Sequence, residues 1–172
     1  MNYLIIGGAK SGKSEIGEKT ALALNEDKVV YVATMKPYDK EDEKRIKKHI
    51  ENRKGLNFIT IEKHRNLYEI VRELNKEDTV LIDSITSLLT NEMFIGMDII
   101  KNPSVNILYG LKEIIKRAKN TIIVSDYIFN DAIEYDEITE NFKRELGIIN
   151  RELAKICDSV MECNFGNVKY YK

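Results

Sequence analysis

The sequence predicts an α/β fold of the P-loop nucleotide-binding class. A single domain over residues 1–172 would carry a mainly parallel sheet, helices on both faces and a C-terminal antiparallel hairpin. Three observations carry this expectation. Residues 7–14 read GGAKSGKS, the pattern G-x-x-x-x-G-K-S, with an apolar run before them and helix-forming residues after. Strand-like runs then alternate with helical stretches along the chain. Finally, Phe165-Gly166 sits between "SVMECN" and "NVKYYK" as a hairpin turn.

In chain order, Tyr3 to Ile6 is the short apolar run of a buried parallel strand, and Ser14 to Leu24 lacks any proline that would interrupt a helix. Between them Gly7, Gly8 and Gly12 allow backbone angles and close approaches that a side chain would block. The N–H groups of Gly7, Gly8, Ala9, Lys10, Ser11 and Gly12 can therefore turn inward. Together with the positive end of the following helix they make a cradle for phosphate oxygens. Lys13 reaches the β- and γ-phosphates as a point charge, and the Ser14 hydroxyl ligates Mg²⁺. A plain glycine-rich turn would satisfy the spacing alone; the correct flanks make it a nucleotide site.

Further strands are expected at Val29 to Ala33, Asn57 to Ile61, Thr79 to Ile82, Thr121 to Val124 and Ser159 to Glu162. Helices are expected around Glu41 to Arg53, Asn66 to Leu74, Val105 to Lys119 and Ile138 to Lys155. The charge run from Asp39 to Arg53 reads as a solvated helix, with Ile46 and Ile50 marking its buried stripe and His49 flanking it. By itself His49 reads as a surface or boundary histidine, and His64, in "EKHRN", as a loop or helix-start residue. Asp83 ends the apolar run of "TVLIDSITSLLTN". It is either a turn or N-cap residue or a carboxylate placed beside Mg²⁺, and its occurrence with a P-loop favours the second.

Composition excludes several classes. Twenty-seven basic and 28 acidic side chains leave a net charge of −1, without the footprint of a nucleic-acid binder. Hydrophobic residues at 43% argue against disorder. No apolar run approaches the roughly 18 residues of a membrane span, and the first residues lack a signal-peptide pattern. Cys157 and Cys163 fit no metal or disulfide framework and read as reduced thiols of a cytoplasmic protein.

The segments "GGAKSGKS", "YVAT", "RIKKH" followed by "NR", "TIE" and "IDSITSLLTN" occur in an order and spacing that resemble the adenosylcobinamide kinase / adenosylcobinamide-phosphate guanylyltransferase family. The resemblance covers residues 1–91 and returns in "FKRELGIINRELAKICDSV", similar to a family segment that ends in an N-Q-x-L-A helix. It implies an enzyme of cobalamin synthesis with two activities at one nucleotide site. The first phosphorylates the aminopropanol hydroxyl of adenosylcobinamide with ATP or GTP. The second transfers GMP from GTP to that phosphate through a GMP–histidine adduct, releasing pyrophosphate and giving adenosylcobinamide-GDP. The family's histidine falls on His49, a sensible nucleophile because neutral imidazole attacks phosphorus well. The resemblance also implies nucleotide contacts at Ala33, Thr34, Ile50, Glu51, Asn52, Arg53, Glu62 and Asp83, and a homo-oligomer, a trimer in the family. Among these Arg53 suits an anion clamp.

Two departures stand out. A family segment like N-E-V-G-x-G-I-V-P is replaced by "SDYIFNDAIEYDEIT", and a glycine-arginine pair by Gly147-Ile148. They imply weakened or altered corrinoid use with GTP binding retained. Two other readings stay open: a P-loop kinase or nucleotidyltransferase for a different small molecule, and a nucleotide-operated binding switch in which His49 does no covalent chemistry.

Overall fold

The computed structural model describes residues 1–25, 28–128 and 133–172, apart from the side chains of Arg45, His49 and Asn52. Strand β1 (Asn2–Gly7) runs into the P-loop and helix α1 (Lys13–Leu24); β2 (Val29–Ala33), α2 (Lys40–Arg53) and β3 (Phe58–Glu62) follow. A 3₁₀ helix (Leu67–Glu73) leads to β4 (Thr79–Asp83) and α3 (Ile85–Met93). A small hairpin of β5 (Phe94–Ile95) and β6 (Asp98–Ile99) comes next, then α4 (Pro103–Arg117), β7 (Asn120–Asp126), α5 (Glu137–Ile156), β8 (Ser159–Asn164) and β9 (Asn167–Tyr170).

Seven strands form one sheet in the order β3-β2-β4-β7-β1-β8-β9. The first six are mutually parallel, and only the β8–β9 pair is antiparallel. The strands carry apolar residues on both faces, so neighbours such as Leu4 and Ile5 enter separate cores. One core packs Leu4, Val32, Ile82 and Ile123 against residues of α3, α4 and α5, including Leu88, Leu111 and Leu146. The other packs Ile5, Leu81 and Val124 against Ala21 of α1. Among the described residues no helix is long and apolar enough to cross a membrane.

The parallel sheet and its antiparallel end agree with the sequence reading, but several local expectations do not. The helix expected at Asn66 to Leu74 is a 3₁₀ helix, entered through Asn66 in the left-handed region at φ 53°. Helix α3 lies outside the sequence expectations. Its sequence, ITSLLTNEM, is rich in residues of middling helix propensity, and the helix rests on its Ser84 cap and on packing of Ile85, Leu88 and Leu89. The β5–β6 hairpin is likewise unforeseen. In α2, Ile46 is partly buried but Ile50 is half exposed, so no buried Ile46/Ile50 stripe exists. The helix is held by its ends instead. The Asp39 carboxylate accepts from the N–H groups of Glu41 and Asp42, and Arg53 is buried at the other end.

Strand register decides where the chemistry collects. Ala33 lies opposite both Glu62 and Asp83, and Gly7 opposite Asp126 and Cys163. All are the last or nearly the last residues of their strands. The parallel sheet therefore brings the P-loop and every strand-end carboxylate to one edge, the carboxyl edge at which open α/β sheets bind ligands.

Candidate active site

The P-loop is shaped by contacts that the glycines permit. A Cβ on Gly7 would come within 2.4 Å of Ser11 Oγ and 2.7 Å of the Cys163 carbonyl oxygen. Gly12, at φ +92°, occupies the left-handed region immediately before α1, and so does the non-glycine Lys10 at φ 58°. Gly8 differs from the expectation, with neither a positive φ nor any atom within 4 Å of an added Cβ. Its lack of a side chain is thus not demanded by the protein's own packing, and the space beside it stays open. Gly7→Ala should therefore destabilise the fold by about 1–3 kcal/mol, the usual cost of overpacking. Gly8→Ala should leave thermal stability nearly unchanged. Comparing the melting temperatures of the two variants checks both.

Inside the loop Lys13 is buried, and its ammonium donates to the Gly8 carbonyl at 3.1 Å and pairs with Asp126 Oδ1 at 2.6 Å. Gly12 caps α1 without a side chain, which leaves the helix N-terminus facing the loop. Ser11 Oγ is buried without a hydrogen-bond partner among the described residues.

Beyond the loop lies a cavity of about 160 Å³, lined by Ser14, Ala33, Ile46, Arg53, Glu62 and Asp83. Tyr31, Met35, Pro37, His64, Ser84 and Ser87 complete its wall. Asp83 accepts from the Tyr31 hydroxyl at 3.2 Å through Oδ2. Burial, reinforced by the Asp83 charge, pushes the Tyr31 phenol well above its usual range, so it stays a donor. The Arg53 guanidinium stacks over the Tyr31 ring at 3.6 Å and pairs with Glu18 at 3.2 Å. It is thus pre-positioned at the cavity by two partners, with little freedom left to lose.

The expected residues divide clearly. Ser14, Ala33, Arg53, Glu62 and Asp83 converge on this cavity at the end of the P-loop. Asp83 does not cap α3, because Ser84 is the N-cap and accepts from the Ser87 N–H. Thr34 is fully buried behind the wall. Its hydroxyl donates to the Ser84 carbonyl and accepts from the Ser84 N–H, and its carbonyl accepts from Asn91 Nδ2. It braces the β2 end against the start of α3. Ile50 and Glu51 are exposed on α2 and outside the cavity lining. His49 lies in α2 one turn after Ile46, but its side chain, like that of Asn52, is outside the described residues.

His64 is the residue that sequence reasoning missed. It follows β3 in the loop after Glu62 and lines the cavity, with Nδ1 at 3.2 Å from the Thr34 carbonyl. A carbonyl only accepts, so in this contact Nδ1–H is the donor. Nothing in "EKHRN" signals this, because the placement comes from the register of β3 beside β2. Residues 129–132 of the departing segment lie outside the described residues. Gly147 lies within α5, with no atom near an added Cβ.

Ser14 and Asp83 both line the cavity and offer it two hard oxygen donors. No cluster of three or more metal-ligating side chains exists among the described residues. Such a sparse set suits Mg²⁺, which keeps waters and phosphate oxygens in its shell.

A family model described as cobinamide kinase / cobinamide phosphate guanyltransferase matches residues 3–169. The chain is 26% identical to the bifunctional adenosylcobalamin biosynthesis protein CobU of Escherichia coli (strain K12), over 93% of each sequence. It is 29% identical to the bifunctional adenosylcobalamin biosynthesis protein CobP of Pseudomonas aeruginosa (strain PAO1), over 93% of this chain and 91% of that protein. Among solved structures, the flagellar accessory protein FlaH of Methanocaldococcus jannaschii aligns with a TM-score of 0.51 at 14% identity, over 99% of this chain and 77% of that one. A KaiC-like protein of Pyrococcus horikoshii OT3 aligns with a TM-score of 0.53 at 14% identity, over 99% and 79%. At these identities the two structures speak for the fold.

Proposed function

The chain belongs to the cobinamide kinase / cobinamide phosphate guanyltransferase family, and from that premise we propose how one nucleotide site serves both reactions of a cobalamin-synthesis transferase. In this reading ATP or GTP phosphorylates the hydroxyl of adenosylcobinamide. GTP then gives GMP to His49, and the adduct passes it to adenosylcobinamide phosphate. The observation that supports it best is the joining of Lys13 and the P-loop to a cavity bearing Ser14, Asp83, Arg53 and Glu62.

Each side chain has a part. Lys13 and the α1 N-terminus hold the triphosphate and stabilise charge as a bridging P–O bond breaks. Ser14 Oγ and Asp83 would hold Mg²⁺, whose charge would neutralise the phosphate oxygens. The Tyr31 hydroxyl on Oδ2 leaves Asp83 Oδ1 for that task. Arg53 clamps an anionic oxygen, and Glu62 accepts hydrogen bonds from base or sugar. His49 stands on the helix that Ile46 and Arg53 bring to the cavity wall. Assembly as a trimer belongs to the same reading. Met97, fully exposed at the tip of the β5–β6 hairpin, and Phe94 and Ile99 beside it offer an apolar surface that such an assembly would cover.

Incubating the protein with Mg²⁺ and GTP, labelled at either the α- or the γ-phosphate, tests the reading. The γ-label should enter adenosylcobinamide, and the α-label should enter adenosylcobinamide phosphate. Binding of GTP with transfer of neither label to a corrinoid would overturn it, in favour of another acceptor or of a nucleotide-operated switch.

A further inference from the structure

Asp126 has no part in the scheme above, yet it makes the shortest contact to the P-loop lysine. It is the last residue of β7, opposite Gly7 in the sheet. Its Oδ1 lies 2.6 Å from Lys13 Nζ, and the two side chains are only 18% and 9% exposed. The strand end is tied down from behind by Asn150 of α5. Asn150 Nδ2 donates to the Asp126 carbonyl at 3.0 Å, and its Oδ1 accepts from Ser125 Oγ at 2.6 Å. The strand end that presents the carboxylate to the ammonium is therefore fixed by the fold.

That ammonium is the group a β- or γ-phosphate needs. A phosphate oxygen bound there competes directly with Asp126, and a carboxylate and a phosphate packed on one cation repel each other. As the triphosphate takes over Lys13, Asp126 is left beside the terminal phosphate without its cation.

We propose that Asp126 is a catalytic residue of the kinase half-reaction: released from Lys13 by the incoming nucleotide, its carboxylate takes the proton of the acceptor hydroxyl. The hydroxyl oxygen forms a bond to Pγ, the bond from Pγ to the β–γ bridging oxygen breaks, and the nucleoside diphosphate departs with that electron pair. The hydroxyl proton ends on Asp126 and leaves to water after product release. The guanylyl transfers need no such base. A neutral imidazole attacks through a lone pair, and the phosphate oxygen that receives GMP is already ionised.

This rests on the kinase reading above, and Asp126→Asn separates the two. Asparagine preserves the shape and still accepts from Lys13, but takes no proton. Turnover in γ-phosphate transfer to adenosylcobinamide should fall about 10²-fold or more. Covalent labelling at saturating α-labelled GTP should persist, and GTP affinity should be equal or several-fold tighter because the group that competes for Lys13 has lost its negative charge. Asp126→Glu should recover part of the turnover. Unchanged kinase turnover in Asp126→Asn overturns the proposal. So does a parallel loss of turnover, labelling and GTP affinity, which would mark a structural role. If wild type phosphorylates no adenosylcobinamide, the kinase reading fails by itself. The affinity comparison then judges Asp126, and weaker GTP binding by Asp126→Asn rejects it as a displaced counter-ion.

Discussion

Lys13→Ala should abolish both transfers and weaken Mg²⁺-GTP binding, with a rate loss of at least ~10²–10³-fold, the cost of removing one preorganised charge-stabilising donor. Lys13 is the buried cation of the cradle, held between the Gly8 carbonyl and Asp126. Its removal does two kinds of damage. The phosphates lose their point charge, and the Asp126 carboxylate, now without a cation, faces them directly. The second effect distinguishes this site from a P-loop whose lysine has no acidic neighbour. The double variant Lys13→Ala/Asp126→Asn should accordingly bind GTP more tightly than Lys13→Ala alone. Calorimetric titrations of the four proteins (wild type, each single variant and the double) close this cycle. Equal GTP affinity for wild type and Lys13→Ala would remove Lys13 from the phosphate site. Absence of any recovery in the double variant would assign the whole loss to the ammonium.

The P-loop and the parallel sheet were legible because each rests on a local signal. Residues 7–14 combine spacing with the right flanks, and the central strands are short apolar runs buried on both faces. The antiparallel end was legible from Phe165-Gly166, where φ values of 52° and 77° make the turn. What sequence could not supply were relations between segments. Arg53 is an anion clamp only in a general sense until Tyr31 and Glu18 fix its guanidinium. Thr34 looks like a strand-end contact until Ser84 and Asn91 take up its polar atoms. Asp126 lies in the stretch that departs from the family pattern, yet it touches the most informative residue of the first motif. Parallel pairing of β1 with β7 brings positions 7 and 126 together, and no local pattern encodes that pairing. Ile50 failed for the opposite reason. A period of four implies a buried stripe only where the helix lies flat on a core, and α2 is held at its ends.

His49→Asn should eliminate covalent labelling by α-labelled GTP and all guanylyl transfer, while much of the kinase activity survives. Wild type incubated with Mg²⁺ and α-labelled GTP should take up label and release pyrophosphate before any acceptor is added. The bond would be a phosphoramidate, so the label should be lost in acid and survive alkali, unlike a phosphate ester of serine. The kinase step persists because the substrate hydroxyl attacks the γ-phosphate and no protein nucleophile takes part. The sharp control is the second histidine. His64 lines the cavity with Nδ1 3.2 Å from the Thr34 carbonyl, and by residue type it is as capable a nucleophile as His49. Proximity to the cavity alone therefore does not name the nucleophile, and peptide mapping of the label does. With His49 as the nucleophile, His64→Asn keeps the adduct, and weaker nucleotide binding is its largest effect. An adduct that persists in His49→Asn and disappears in His64→Asn would move the nucleophile from α2 to the loop after β3. No adduct in wild type at any GTP concentration would remove covalent catalysis from the second step, leaving direct attack of the corrinoid phosphate on the α-phosphate as its only route.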